Sequence, residues 1–200
     1  MKIVSVVFHP LLIATHLTAL LLFKAPELLP RIQPQIHLQF LLIIFLITCV
    51  MPAFSLFLLK TFKYISDLEL EKRSERLTPF LLILFYYGVA CYLFKEKLEM
   101  DYLFNLVMIS VTILIFILLL ITFRFKISIH AAAIWGAVGY LTAITITYGL
   151  TVDWIYYLMV FMAGLTSTSR LYLGYHNSKE VWSAALFGFS YCTSVVILLA

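Results

Sequence analysis

Six runs of apolar residues, near 38–59, 79–95, 101–123, 129–149, 153–169 and 181–199, constrain this chain more than any other feature. A hydrocarbon core about 30 Å thick is crossed by roughly 17–25 helical residues, and each run falls in that range. No water is available inside such a core to satisfy an open backbone, so segments of this kind resolve to helices. The expected fold is all-α, a polytopic transmembrane bundle of six or seven spans. The seventh candidate, near 3–23, is diluted by His9, Thr15, His16 and Thr18 and interrupted by Pro10. It is read as mature chain that spans, lies at the interface or re-enters.

Composition agrees: 64% of residues are hydrophobic and 12% charged, which excludes an ordinary soluble domain. The longest polar stretch, Lys60 to Thr78, is too short for a soluble domain. Residues 1–200 therefore read as one integral membrane domain whose surroundings are the lipid bilayer. Small residues recur at helical spacing, as in Ala132 with Gly136, Ala133 with Gly139 nearby, Gly164 with Thr168, and Ala184 with Gly188, and such faces let helix backbones approach closely. Basic residues are scattered through the loops instead of forming a stripe, so nucleic acid is not an expected partner. Cys49, Cys91 and Cys192 lie in apolar runs without regular spacing, which favours packing over a disulfide framework or a zinc site. Nothing in the sequence fixes an oligomeric state.

Polar residues then need a reason to be there, because charge at the edge of a bilayer is costly. The densest group is Ser169, Arg170, His176 and Glu180, between two apolar runs. If the segment is helical, His176 and Glu180 share a face, and the carboxylate can hold one ring nitrogen while the other attacks. A second group, Arg124, Lys126, Ser128 and His130, stands directly ahead of an apolar helix that Ser128 would cap. Helix amides and basic side chains there favour an anion, with His130 beside it as a proton donor; the plainer reading is snorkelling cations and an interfacial histidine. A third, Lys60 to Pro79, mixes five cations with four carboxylates, and reads either as a solvated connector with internal ion pairs or as a further phosphate contact.

In this order the three groups resemble the type 2 phosphatidic acid phosphatase superfamily. Its signature combines a Lys and Arg-Pro element, a Pro-Ser-Gly-His element, and Ser-Arg, five residues, His, three residues, Asp. Ser169, Arg170 and His176 reproduce the last spacing, with Glu180 where the family usually has Asp. The second element matches at Ser128 and His130, with Ile127 and Ile129 replacing Pro and Gly. The first is represented by Lys72 and Arg76 ahead of Pro79, with Arg76 the preferred equivalent. The resemblance runs over about 72–180.

What it implies is hydrolysis of a lipid phosphate or diphosphate through a phosphohistidine, without metal or other cofactor. His176 would be the nucleophile, Glu180 its orienting partner and His130 the acid. Arg170, Ser128, Arg76, Lys72, Lys126 and Ser169 would hold the phosphate. The implied partner is a phosphorylated lipid of the membrane, and the implied location the cell (inner) membrane. Two other readings stand beside it: a noncatalytic relative that binds or moves anionic lipids, and a structural or transport bundle carrying the motif by chance. With seven spans, the face bearing the motif holds ten basic residues against four (Lys24, Arg31, Lys95 and Lys97) on the other. The positive-inside rule would make that face cytoplasmic, whereas members of the superfamily often face outward.

Overall fold

The computed structural model describes residues 1–68, 70 and 72–200; Glu69 and Glu71 of the charged loop lie outside the described residues. Its helices are α1 (Lys2–Val7), α2 (Pro10–Lys24), α3 (His37–Phe45), α4 (Met51–Thr61), α5 (Leu77–Tyr92), α6 (Tyr102–Thr122), α7 (Ile129–Tyr148), α8 (Trp154–Tyr172) and α9 (Ser178–Leu199). There is no strand among the described residues. The chain divides into two compact units, Met1–Ile13 with Phe125–Ala200, and Ala14–Arg124.

Among the described residues, five helical rods are long and apolar enough to cross a membrane: Pro34–Thr61, Arg73–Lys97, Tyr102–Thr122, Ile129–Tyr148 and Ser178–Leu199. Two expected runs depart from that class for identifiable reasons. The 3–23 run breaks between α1 and α2, because Pro10 has no N–H to give and biases His9 away from helical geometry. The 153–169 run does form α8, but Thr166, Ser167, Thr168, Ser169 and Arg170 dilute its apolar character in the last turns.

In the second unit α3 and α4 form one rod through a π turn at Leu46–Val50. Pro52 explains its position: lacking an N–H, it cannot continue the regular ladder, and the widened turn directly before it absorbs the mismatch. Phe40, Phe94 and Phe104 meet at centroid distances of 5.1–5.6 Å and anchor this unit's core.

In the first unit α7 is the central helix and packs mainly on α9, with α8 beside both. Close approach is possible because the facing residues are small. Ala131, Ala132, Ala143, Ala184 and Val181 are fully buried. A Cβ at Gly188 would overlap the carbonyl of Ala132, and one at Gly139 would strike the carbonyl oxygen of Phe189. The predicted small-residue faces at Ala132, Gly139, Ala184 and Gly188 are thus where α7 and α9 touch.

Candidate functional site

The histidine site lies within the first unit, at the end where α7 and α9 begin and α8 finishes. Ser128 precedes α7 in extended conformation, and its Oγ accepts from the amide of Ala131 at 3.4 Å, an N-cap as the sequence suggested. The Ser128 N–H in turn donates to the carbonyl of Glu180 at 3.2 Å, so the starts of α7 and α9 are held in register by a main-chain bond. His130 follows in the first turn of α7 and is buried. Lys126, just ahead of the cap, is half-buried.

The segment from Arg170 to Glu180 is not one helix, and here the expectation is corrected. Gly174 adopts a left-handed φ of 71°, which ends α8, and α9 begins afresh after Asn177. His176 and Glu180 nevertheless meet, through a capping box. The Asn177 side chain accepts from the Glu180 amide at 3.0 Å, while the Glu180 carboxylate receives the Asn177 amide at 3.4 Å and its Nδ2 at 3.0 Å. That arrangement folds the carboxylate back over the turn, where His176 Nδ1 donates to Oε2 at 2.8 Å. The His176 side chain is 5% exposed and that of Glu180 12%, so this pair is shielded from water.

One ring nitrogen of His176 is therefore committed as a donor, and its Nε2 carries the lone pair. Burial lowers the pKa of this ring to about 4; the Glu180 hydrogen bond works against the shift, and the positive charges of Arg170 and Lys126 work with it. At neutral pH the ring is thus uncharged and nucleophilic. Arg170, in the last turn of α8, is buried, and its guanidinium lies 4.4 Å from the centre of the Tyr175 ring. Cation–π contact of this kind fixes the plane of the fork without neutralising it. Arg170 and His176 are both within electrostatic range of the His130 ring.

Ser169 is fully buried, and its hydroxyl is engaged by the N-terminal segment, at 3.0 Å from Ser5 Oγ and 2.9 Å from the Met1 carbonyl. Sequence reasoning missed that segment. The His9 ring stands edge-on to His130 with centroids 5.1 Å apart, and the only trace of this in the sequence is a histidine placed before the helix-breaking Pro10.

The other two predicted phosphate ligands, Lys72 and Arg76, belong to the second unit. Lys72 is exposed and pairs with Glu75 at 3.4 Å, an ion pair of the connector type. Arg76 is 2% exposed, with Nε donating to the carbonyl of Leu70 at 2.8 Å. Arg73 Nε donates to the Thr122 carbonyl at 3.0 Å, and its NH2 to that of Phe123 at 2.5 Å. Arg73 and Arg76 line a cleft of about 340 Å³ together with Leu77, Leu119 and Phe123.

Chemically, the first unit assembles an oriented imidazole, a buried second imidazole, a stacked guanidinium and a helix N-terminus at one end of a helix hairpin. No group of three or more His, Cys, Asp or Glu suited to a metal ion occurs among the described residues. No protein-family model matches the chain, and searches of curated proteins and of solved structures return no match.

Proposed function

We propose that this protein is a membrane lipid phosphatase that works through a phosphohistidine on His176. The observation that carries the reading is the 2.8 Å contact of His176 Nδ1 with Glu180, with Arg170 and His130 at the same end of the bundle. In the first step Nε2 of His176 attacks phosphorus, the bond to the lipid oxygen breaks, and protonated His130 gives its proton to that oxygen. In the second, neutral His130 takes a proton from water as the water oxygen attacks, the P–N bond breaks, and phosphate leaves. Both histidines return to their starting states. Throughout, Glu180 stabilises the charge that appears on His176, and the Arg170 fork holds non-bridging oxygens.

The substrate class follows from location. The site lies where α7 and α9 begin, so a head group would reach it from the membrane boundary while acyl or prenyl chains stay between helices. We read α8 as a sixth crossing: its 19 residues extend about 28 Å at 1.5 Å each, and it brings the chain back from the far end of α7 to the site. Phosphatidic acid, phosphatidylglycerol phosphate, polyprenyl diphosphate and phosphorylated lipid A share the required chemistry.

The test is phosphate release from purified protein in mixed micelles with these four lipids, together with trapping of an acid-labile, base-stable phosphoryl label. Label on the unmodified protein and none on His176→Ala supports the assignment; turnover without label, or label surviving in His176→Ala, removes it. A noncatalytic lipid binder is favoured by one observation, the Ile127 and Ile129 that flank Ser128 where the superfamily has Pro and Gly. Saturable binding of anionic lipid with no release of phosphate would select that reading.

A further inference from the structure

The break between α1 and α2 brings a third imidazole to the histidine site. Pro10 opens α2 and has no N–H, so the first amide of that helix in need of an outside acceptor is that of Leu11. His9 provides it: the Leu11 amide donates to Nδ1 of the His9 ring at 3.3 Å, while the His9 carbonyl accepts from the Leu12 amide at 2.8 Å. His9 is thus the N-cap of α2, with an imidazole in the place usually taken by a hydroxyl or carboxylate. A backbone amide can only donate, so Nδ1 presents its lone pair and the ring proton sits on Nε2. The two ring nitrogens point away from each other, and Nε2–H is therefore turned away from the α2 backbone.

This ring meets that of His130 edge-on, at 86° and with centroids 5.1 Å apart. Nε2 of His130 is buried and has no hydrogen-bond partner among the described residues, and a buried polar nitrogen in that condition is one that a ligand oxygen can satisfy. The segment before His9 is tied to the turn of α8 that carries Arg170: Ser5 Oγ lies 3.0 Å from Ser169 Oγ, and the Ser169 hydroxyl donates to the Met1 carbonyl at 2.9 Å. His9 is held between that tether and its own cap.

We propose that His9 is a phosphate-binding residue of this site, giving its Nε2–H to a non-bridging oxygen of the phosphoryl group that His176 attacks. The proposal deepens the phosphatase reading and rests on it. A phosphoryl group in contact with His130 is within reach of a ring centred 5.1 Å from it. What His9 adds there is a donor without charge. While Nδ1 holds the Leu11 amide the ring is not an imidazolium, so no second cation stands against the protonated His130 that the first step requires. His9 keeps its proton throughout, and no bond forms or breaks on it.

Histidine-selective nitrogen NMR of the full-length protein in nanodiscs tests this, with His9→Asn to assign the signal. His9 should show the Nε2–H tautomer, and that N–H should shift on titration with inorganic phosphate and, in His176→Ala to prevent turnover, with phosphatidic acid in the bilayer. Movement with phosphatidic acid marks a lipid head group as the source and movement with inorganic phosphate alone a free phosphate, and either supports the role given to His9. An Nδ1–H tautomer, or a signal that moves with neither, overturns it. Kinetically, Asn and Gly both serve at an N-cap, but only Asn offers a side-chain donor. His9→Gly should lower kcat/KM about 10- to 100-fold, the loss expected for one hydrogen bond to a charged group, and His9→Asn should be at least about fivefold better than Gly. Equal kcat/KM in the two variants makes His9 a cap alone and overturns the proposal; where the Gly variant does not fold, the NMR titration decides. Lipid hydrolysis with an unmoved His9 signal fails this proposal alone. A His9 signal that moves in a protein hydrolysing none of the lipids fails the phosphatase reading and leaves His9 as a ligand of bound phosphate.

Discussion

Replacing Glu180 by Gln is the sharpest single perturbation of this site, because every partner of the carboxylate is a donor. Oε2 receives His176 Nδ1 at 2.8 Å and the Asn177 amide at 3.4 Å, and Oε1 receives Asn177 Nδ2 at 3.0 Å. An amide has one acceptor oxygen, so its NH2 must face a donor. Asn177 cannot turn to relieve the conflict, since its Oδ1 is already capping the Glu180 amide at 3.0 Å. If the NH2 faces Asn177, His176 keeps its tautomer but loses a charge-assisted bond, worth about 1–2 kcal/mol more than a neutral one, or roughly five- to thirtyfold in rate. If it faces His176, the ring is forced to carry its proton on Nε2 and the nucleophile is lost, a fault that costs about 10⁴ in the serine-protease triad. The expected fall in kcat is therefore between about 5-fold and 10⁴-fold, set by which way the amide settles, with KM little changed and thermal stability within about 1 kcal/mol, because Gln also serves in a capping box. Asp removes one methylene, about 1.5 Å, which opens the 2.8 Å contact to about 4 Å, and should cost about 10- to 100-fold. The assay is initial-rate phosphate release, paired with a melting curve for each variant. Turnover within twofold of the unmodified protein for Gln, Asp and Ala alike, while His176→Ala is silent, would refute the orienting role.

Arg170→Lys should lower kcat/KM about 100-fold despite preserving charge, since an ammonium cannot reproduce either the two-pronged grip or the planar stack on Tyr175; equal activity would remove the clamp. His130→Ala should hurt unactivated lipid esters at least tenfold more than an aryl phosphate whose leaving group needs no proton, and equal losses would argue against an acid. Gly188→Ala places a methyl on the Ala132 carbonyl and should destabilise by about 1–3 kcal/mol, read as a fall in melting temperature of roughly 3–10 °C. With the His176 pKa held near 4, below its ordinary value, the unfolded chain binds the extra proton between those two values. This group's contribution to stability is accordingly complete above about pH 6.5 and lost as pH falls toward 4. Nucleophile titration should likewise appear in kcat/KM only well below pH 6.5 and move up toward 6.5 when a variant exposes His176; a limb that does not move on exposure would contradict the burial argument.

Local pattern carried most of what the sequence could tell. Long apolar runs announce membrane helices because the bilayer permits little else, and Ser128 before Ile129 announces a cap because a helix start needs an acceptor. The small residues of α7 and α9 were equally readable. The turn at 173–177 was not read correctly: the i, i+4 spacing of His176 and Glu180 suggested one helix, whereas Gly174 stops α8 and Asn177 restarts the chain as α9. The pairing survived that error because a capping box brings its third helical residue back over the cap. His9 and Ser5 lay out of reach for a different reason. Their partners, His130 and Ser169, stand more than a hundred residues away, and no local periodicity encodes such a contact.

The choice of Glu at position 180 follows from the same turn. A residue at the third helical position of α9 has to satisfy the Asn177 amide behind it and the His176 ring beyond that amide, and one carboxylate does both only if it reaches past the cap. Glu does so at 2.8 Å. The main-chain bond from Ser128 to the Glu180 carbonyl then transmits that placement to α7, so that the cap carrying His130 and the cap carrying Glu180 form one rigid junction. Buried Ile127 and the half-buried Ile129 flank Ser128 at this junction.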